Sequence, residues 1–211
     1  MRILLIRHGE SEGNAAGRIQ GIVDEPLSKV GKAQALALAS RLKARSSLCG
    51  VYSSGLRRAL ETAAPIAAAF DLPVVAHADL REYDLGALTG LTLGQVEAGY
   101  PDLVKAWSES PLWVPIPGEE GREAFLRRVM AAMAWIVARH AGQDAIAVVA
   151  HAGTLGAYLC GLVGMDYGSR RIPWTFDNAS LSIVELGPVQ ARVVSLNDTS
   201  HLNQVRKENE P

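Results

Sequence analysis

Apolar and polar positions alternate along this chain with two different periods. Ile3-Leu4-Leu5-Ile6 is apolar at every position, as expected of a strand buried on both faces. Residues 145–150 repeat that pattern. Between them, Ala35, Leu38, Ala39 and Leu42 recur at helical spacing behind Ser28, which predicts a capped helix running to about Arg45. Residues 50–53 read as a second strand, 56–70 as a second helix and 73–75 as a third strand. Pro65 lies inside that second helix, so a kink or a break is expected there. Residues 122–140 form a strong amphipathic pattern, with Phe125, Val129, Ala132, Met133 and Ile136 on one face. A helical pattern follows over 154–163, and 181–186 and 191–196 read as the last two strands. There is no internal repeat. Strands alternating with helices predict an α/β fold: a three-layer sandwich with a mostly parallel central sheet flanked by helices.

Over residues 85–121 the periodicity weakens. Pro101, Pro111, Pro115, Pro117, Trp107 and Trp113 fall in this stretch. It predicts an inserted cap of short helices over the C-terminal edge of the sheet, serving as a substrate lid within a single domain spanning 1–211. The polar tail over 203–211 is expected to fray.

Composition narrows the function. Net charge is -1, from 21 basic and 22 acidic residues, so nothing draws the whole chain to nucleic acid or an anionic membrane. Any anion site must be a local cluster. The N-terminal apolar run is too short for a signal peptide and is cut at once by Arg7-His8, and no stretch is long enough to span a bilayer. A cytoplasmic location is the default expectation. Cys49 and Cys160 have no metal or redox spacing and read as small apolar side chains. His77 and His140 read as surface residues, and His201 as part of a solvated loop.

Two strands end alike. The first runs into Arg7-His8-Gly9-Glu10 and the later one into His151-Ala152-Gly153. If they are parallel neighbours, both histidines stand at the sheet edge where α/β folds bind ligands. Gly153 is then expected to begin a helix whose free N–H groups favour an anion. A third strand ends at Ser53-Ser54, with Arg57-Arg58 in the first turn of the next helix. Arginine meets phosphate with a planar fork, and a neutral imidazole can be a nucleophile. The three strand ends together predict phosphate chemistry on a histidine.

In these motifs the chain resembles the histidine phosphatase superfamily, or phosphoglycerate mutase-like family, over nearly its whole length. Leu5-Ile6-Arg7-His8-Gly9-Glu10-Ser11 is followed in order by Asn14, Gly17-Arg18, Gln20-Gly21, the segment from Ser53 to Ala63, Leu80-Arg81-Glu82 and Ala150-His151-Ala152-Gly153. The resemblance implies that His8 becomes phosphohistidine, that Arg7, Arg58 and His151 hold the phosphoryl oxygens, and that Glu82 is the general acid and base. It implies no metal and no cofactor. Gln20, Gly21 and Ala152 join the implied phosphate-binding set, and Asn14 either contacts phosphate or shapes its loop.

Gly86-Ala87-Leu88-Thr89 looks mutase-like, whereas the cation-poor stretch around Trp107 suits a phosphatase, and Gly121 stands where the family commonly has serine. The favoured expectation is a phosphatase acting on a small phosphorylated metabolite. The alternatives are a cofactor-dependent phosphoglycerate mutase and an inactive phosphate-binding protein on the same fold. Tyr83, Trp107 and Trp113 are candidate substrate-choosing residues. Apolar side chains in the cap would serve a homodimer or a substrate equally well.

Overall fold

The computed structural model describes residues 1–140, 145–167 and 174–205. Six strands form one sheet: β1 (Arg2–Arg7), β2 (Gly50–Ser53), β3 (Val74–Ala76), β4 (Ala145–Ala150), β5 (Leu181–Leu186) and β6 (Ala191–Asp198), in the order β3-β2-β4-β1-β5-β6. The pairings β2–β3, β2–β4 and β1–β4 are parallel. β5 is antiparallel to both β1 and β6, so β5 alone runs against the rest.

The unbroken apolar run of β1 has a direct structural meaning. Successive strand residues face opposite sides of a sheet. Ile3 and Leu5 enter one core with Phe125, Val129 and Met133 of α6 (Arg122–Ala138) and Leu155 and Leu159 of α7 (Ala152–Leu162). Leu4 and Ile6 enter the other with Leu38 and Leu42 of α2 (Lys29–Arg45) and Ala63 and Ile66 of α3 (Arg57–Ala69). These are the three layers, and β1 feeds both cores. Ser28 caps α2 as expected, accepting the Gly31 N–H at 3.0 Å.

Pro65 does not break α3, which continues through it to Ala69. Removing one backbone donor costs roughly 3 kcal/mol in a helix interior. Ala63, Ile66 and Ala67, all buried beside it, supply the packing that offsets this. His140 corrects a second expectation. It is buried, with Nε2 2.8 Å from the Tyr52 hydroxyl.

A four-residue helix, α1 (Glu12–Ala15), follows β1, capped by Ser11 in a reciprocal box with Asn14. Residues 85–121 hold a 3-10 turn at Gly86–Leu88 and two short helices, α4 (Leu93–Gly99) and α5 (Pro101–Glu109). Leu88, Val96 and Ile116 form a small core of their own there, joined by Ile19. This stretch is stitched to the loop after α1. Ile19 N–H donates to Leu91 O at 2.8 Å, and Gly90 N–H donates to Ile19 O at 2.6 Å. Of the tail expected to fray, only 203–205 fall within the described residues, and Val205 is buried.

Candidate active site

Parallel pairing sets Arg7 opposite Ala150 and Ser53 opposite Val149, so the three chains leave the sheet at one edge. His8 follows Arg7, with its N–H on Ala150 O at 3.0 Å. The His8 and His151 ring centroids are 5.1 Å apart. The juxtaposition expected of the two strand ends is therefore met.

The tautomer of His8 follows from its neighbours. Nδ1 lies 2.7 Å from the Gly9 carbonyl, which can only accept, so Nδ1 carries the proton. Nε2 is left with its lone pair, toward which Arg58 Nε donates at 3.3 Å. Burial holds His8 well below the ordinary imidazole pKa, and the Arg58 and Arg7 guanidiniums add to this. The Gly9 carbonyl works the other way and is outweighed. His8 is thus a neutral imidazole with an available lone pair.

His151 is also held low, first by burial and then by His8, Arg58 and Arg7. Its Nε2 is 2.7 Å from the Ser54 hydroxyl, which accepts the Leu56 N–H at 3.4 Å and so has its own proton to give. With Ser54 donating to Nε2, the imidazole proton falls on Nδ1. This Nδ1, like Arg7 Nε, is buried with no protein hydrogen-bond partner.

Arg58 is almost wholly buried. It donates to the carbonyls of Val23 and of Gly21, the latter at 2.8 Å. Gly21 has φ +50, a backbone state that costs glycine little. Arg7 donates to Phe176 O. Burial lowers the pKa of both arginines, and Glu82 is the foremost charge opposing it on each.

Glu82 lies on the irregular segment between β3 and α4. Its Oε1 accepts the Tyr83 N–H at 2.8 Å and its Oε2 the Gly153 N–H at 3.0 Å. This corrects the expectation for Gly153, whose N–H at the start of α7 is spent on Glu82. It also explains the glycine. A Cβ at position 153 would sit 2.3 Å from Glu82 Oε1.

The remaining candidates brace loops. Asn14 Oδ1 is 3.2 Å from Ser11 N and accepts from Asn178 Nδ2 at 3.0 Å. Gln20 Oε1 is 2.7 Å from Ser11 Oγ. Gly21 contributes its carbonyl to Arg58, and Ala152 is the first residue of α7. His201 is half-buried, with Nε2 3.0 Å from Ala179 O.

Sequence reasoning missed four supporting residues. Ser54 holds His151. Thr62 Oγ1 accepts the Gly9 N–H at 2.9 Å. Asn178 donates to His8 O at 3.3 Å. Arg128 grips the backbone around Glu82. Ser54 and Thr62 lie inside motifs already quoted, so position in the motif was a usable signal. Asn178 and Arg128 gave none.

Two guanidiniums and two imidazoles, gathered at one edge of an α/β sheet, suit a protein that handles phosphate esters. The chain belongs to the histidine phosphatase superfamily (branch 1), whose sequence profile matches residues 3–199. It is 35% identical over 206 residues to phosphoserine phosphatase 1 of Hydrogenobacter thermophilus, covering 97% of this chain and 95% of that protein. It is 37% identical over 207 residues to the metal-independent phosphoserine phosphatase of Arabidopsis thaliana, covering 96% and 84%. Among solved structures, a mycobacterial glucosyl-3-phosphoglycerate phosphatase in complex with VO3 superposes with a TM-score of 0.83 at 30% identity, covering 94% of this chain and 99% of that one. The enzyme class is phosphomonoester hydrolase.

Proposed function

We propose that this chain is a metal-independent phosphatase that hydrolyses small phosphomonoesters through a phosphohistidine on His8. One observation carries the reading. The His151 ring stands 5.1 Å from that of His8 and the Arg7 charge acts on His8, and both residues carry a buried nitrogen without a protein partner, Arg7 Nε and His151 Nδ1. Buried polar groups are nearly always paired, so unpaired donors of this kind suit a bound anion.

The steps follow from the groups present. His8 Nε2 attacks phosphorus in line while the ester P–O bond breaks. The Glu82 carboxyl gives its proton to the departing oxygen. Arg7, Arg58 and His151 bear the charge on the phosphoryl oxygens, and Arg58 Nε exchanges the His8 lone pair for one of them. In the second half, the Glu82 carboxylate takes a proton from water. The water oxygen attacks phosphorus, the P–N bond breaks, and inorganic phosphate leaves with the lone pair back on Nε2. Residues 85–121 act as the cap that chooses the leaving group, with Tyr83, Trp107 and Trp113 the side chains to vary. Phosphoserine is the first substrate to try, since two relatives are named for it.

A phosphate-release screen over small phosphomonoesters, run beside a 3-phosphoglycerate to 2-phosphoglycerate assay, tests the reaction class. Phosphate release that persists in EDTA is expected. Isomerisation without release would make the protein a mutase, and silence in both assays would favour a binding protein.

A further inference from the structure

Glu82 lies just past a 3-10 turn, Ala78–Leu80, in no strand or helix itself, yet its place decides whether a proton arrives. Arg128, on α6, meets that segment with its whole guanidinium. NH1 donates to Asp79 O at 2.8 Å and to Arg81 O at 2.9 Å. NH2 donates to Glu82 O at 3.0 Å and to Glu120 Oε1 at 2.6 Å, and Nε donates to Glu120 Oε2 at 2.9 Å. Arginine has five N–H donors in a fixed fork, and here each one has an acceptor. The guanidinium also lies over the Phe125 ring, 4.5 Å from its centroid, which fixes its plane.

Glu120 completes the device. Its side chain is 14% exposed and that of Arg128 12%, so the pair is largely shielded from water. Burial pushes the Glu120 carboxyl up, but the Arg128 hydrogen bonds, the Asp84 N–H at 2.9 Å and the Arg128 and Arg81 charges outweigh it, leaving it below its ordinary value. Glu120 therefore neutralises Arg128 and ties down Asp84, on the far side of Glu82. From α7, Thr154 Oγ1 donates to Arg81 O at 2.9 Å and the Gly153 N–H holds the carboxylate itself.

We infer that Arg128, locked by Glu120, is the positioning residue that aims Glu82 at the leaving-group oxygen. The inference rests on the reading of Glu82 as the general acid. Arg128 touches no reacting atom. It fixes the carbonyls of residues 79, 81 and 82, and so the point from which the carboxyl reaches. A shift of about 1 Å at such a group costs on the order of 10²-fold in rate. Lysine would keep the charge but lacks the fork that spans three carbonyls and a carboxylate.

The test is the dependence of kcat/KM on the leaving group, measured with substituted phenyl phosphates from p-nitrophenyl phosphate to phenyl phosphate. An acidic nitrophenol departs without a proton, whereas phenol departs far better with one. Wild type should show a shallow dependence and Glu82→Gln a steep one. A shallow Glu82→Gln plot would remove the general-acid reading itself. Given a steep plot for Glu82→Gln, Arg128→Met should match it in kind, losing about 10²-fold on phenyl phosphate and about threefold on p-nitrophenyl phosphate. Arg128→Lys should fall between wild type and Arg128→Met. A uniform loss across all the phenols, as mere destabilisation would give, overturns the positioning role. So does full retention of activity. If Arg128→Met does not fold, Arg128→Lys and Glu120→Gln are read on the same plot, and a wild-type slope in both overturns it equally.

Discussion

The two halves of the site are held in place by different means. His8, Arg7 and His151 leave the sheet at strand ends, where the ladder fixes the backbone before any side chain acts. His8 N–H on Ala150 O and the β1–β4 register set the histidine pair. Glu82 has no such support. Its segment hangs on two side chains and one backbone donor, namely Arg128, Thr154 and the Gly153 N–H. Groups on a sheet edge can therefore be truncated one at a time without moving their neighbours. The contrast predicts that Glu82, by comparison, is displaced by changes in residues outside the site.

The largest expected effect falls on the strand-end half. His8→Ala should abolish both turnover and the acid-labile, base-stable label left by a phosphoryl donor, with the circular dichroism spectrum unchanged. Label persisting in that variant would remove His8 as the nucleophile. Next comes Gly153→Ala, which drives a Cβ against Glu82 Oε1. It should lower kcat/KM for phenyl phosphate by about 10²-fold and steepen the leaving-group dependence, although no catalytic group is deleted. Wild-type behaviour there would break the contrast between the halves.

Ser54→Ala is milder. It leaves His151 Nε2 buried without its partner, a penalty of roughly 1–3 kcal/mol. About a tenfold loss of kcat/KM is expected, equal for acidic and weakly acidic phenols, because only the phosphoryl end is disturbed. A leaving-group-dependent loss would place Ser54 with the acid instead.

The last effect is on stability and leaves turnover aside. His8 and His151 both titrate below the ordinary value of 6.5 when folded, so the unfolded chain binds protons that the folded chain refuses. Stability from this source is complete above about pH 6.5 and falls as pH falls, by at most about 1.4 kcal/mol per pH unit for each histidine. Urea midpoints between pH 7 and pH 5 should show it, and His8→Asn should flatten the slope. A wild-type midpoint constant over that range would contradict the burial of both rings as neutral species.

The same contrast explains what could be read in advance. The apolar runs of β1 and β4 announced the buried strands, and the residues after them announced His8 and His151, because a strand end is a local event in sequence. Arg58 was legible for the same reason, one turn into the helix after β2. Arg128 was not. It is a polar residue one position from the apolar Val129 on an amphipathic helix, and the carbonyls it holds lie 46 to 49 residues away. The Gly153 donor was misread because its acceptor lies 71 residues back. The break that Pro65 allows does not occur, since local propensity takes no account of the core that α3 covers.

The reversed direction of β5 has a consequence for the order in which this enzyme comes into being. Because β5 starts at the edge where the other strands finish, the chain entering it delivers the Phe176 carbonyl to Arg7, and the Ala179 N–H and Asn178 amide to His8 O. His8 and these supports lie some 170 residues apart in sequence. Contacts of such separation form late in folding, after the loop entropy has been overcome. A folding chain should therefore hold His8 in an unfinished pocket until β5 has docked, and any activity that depends on His8 should appear only with that last step.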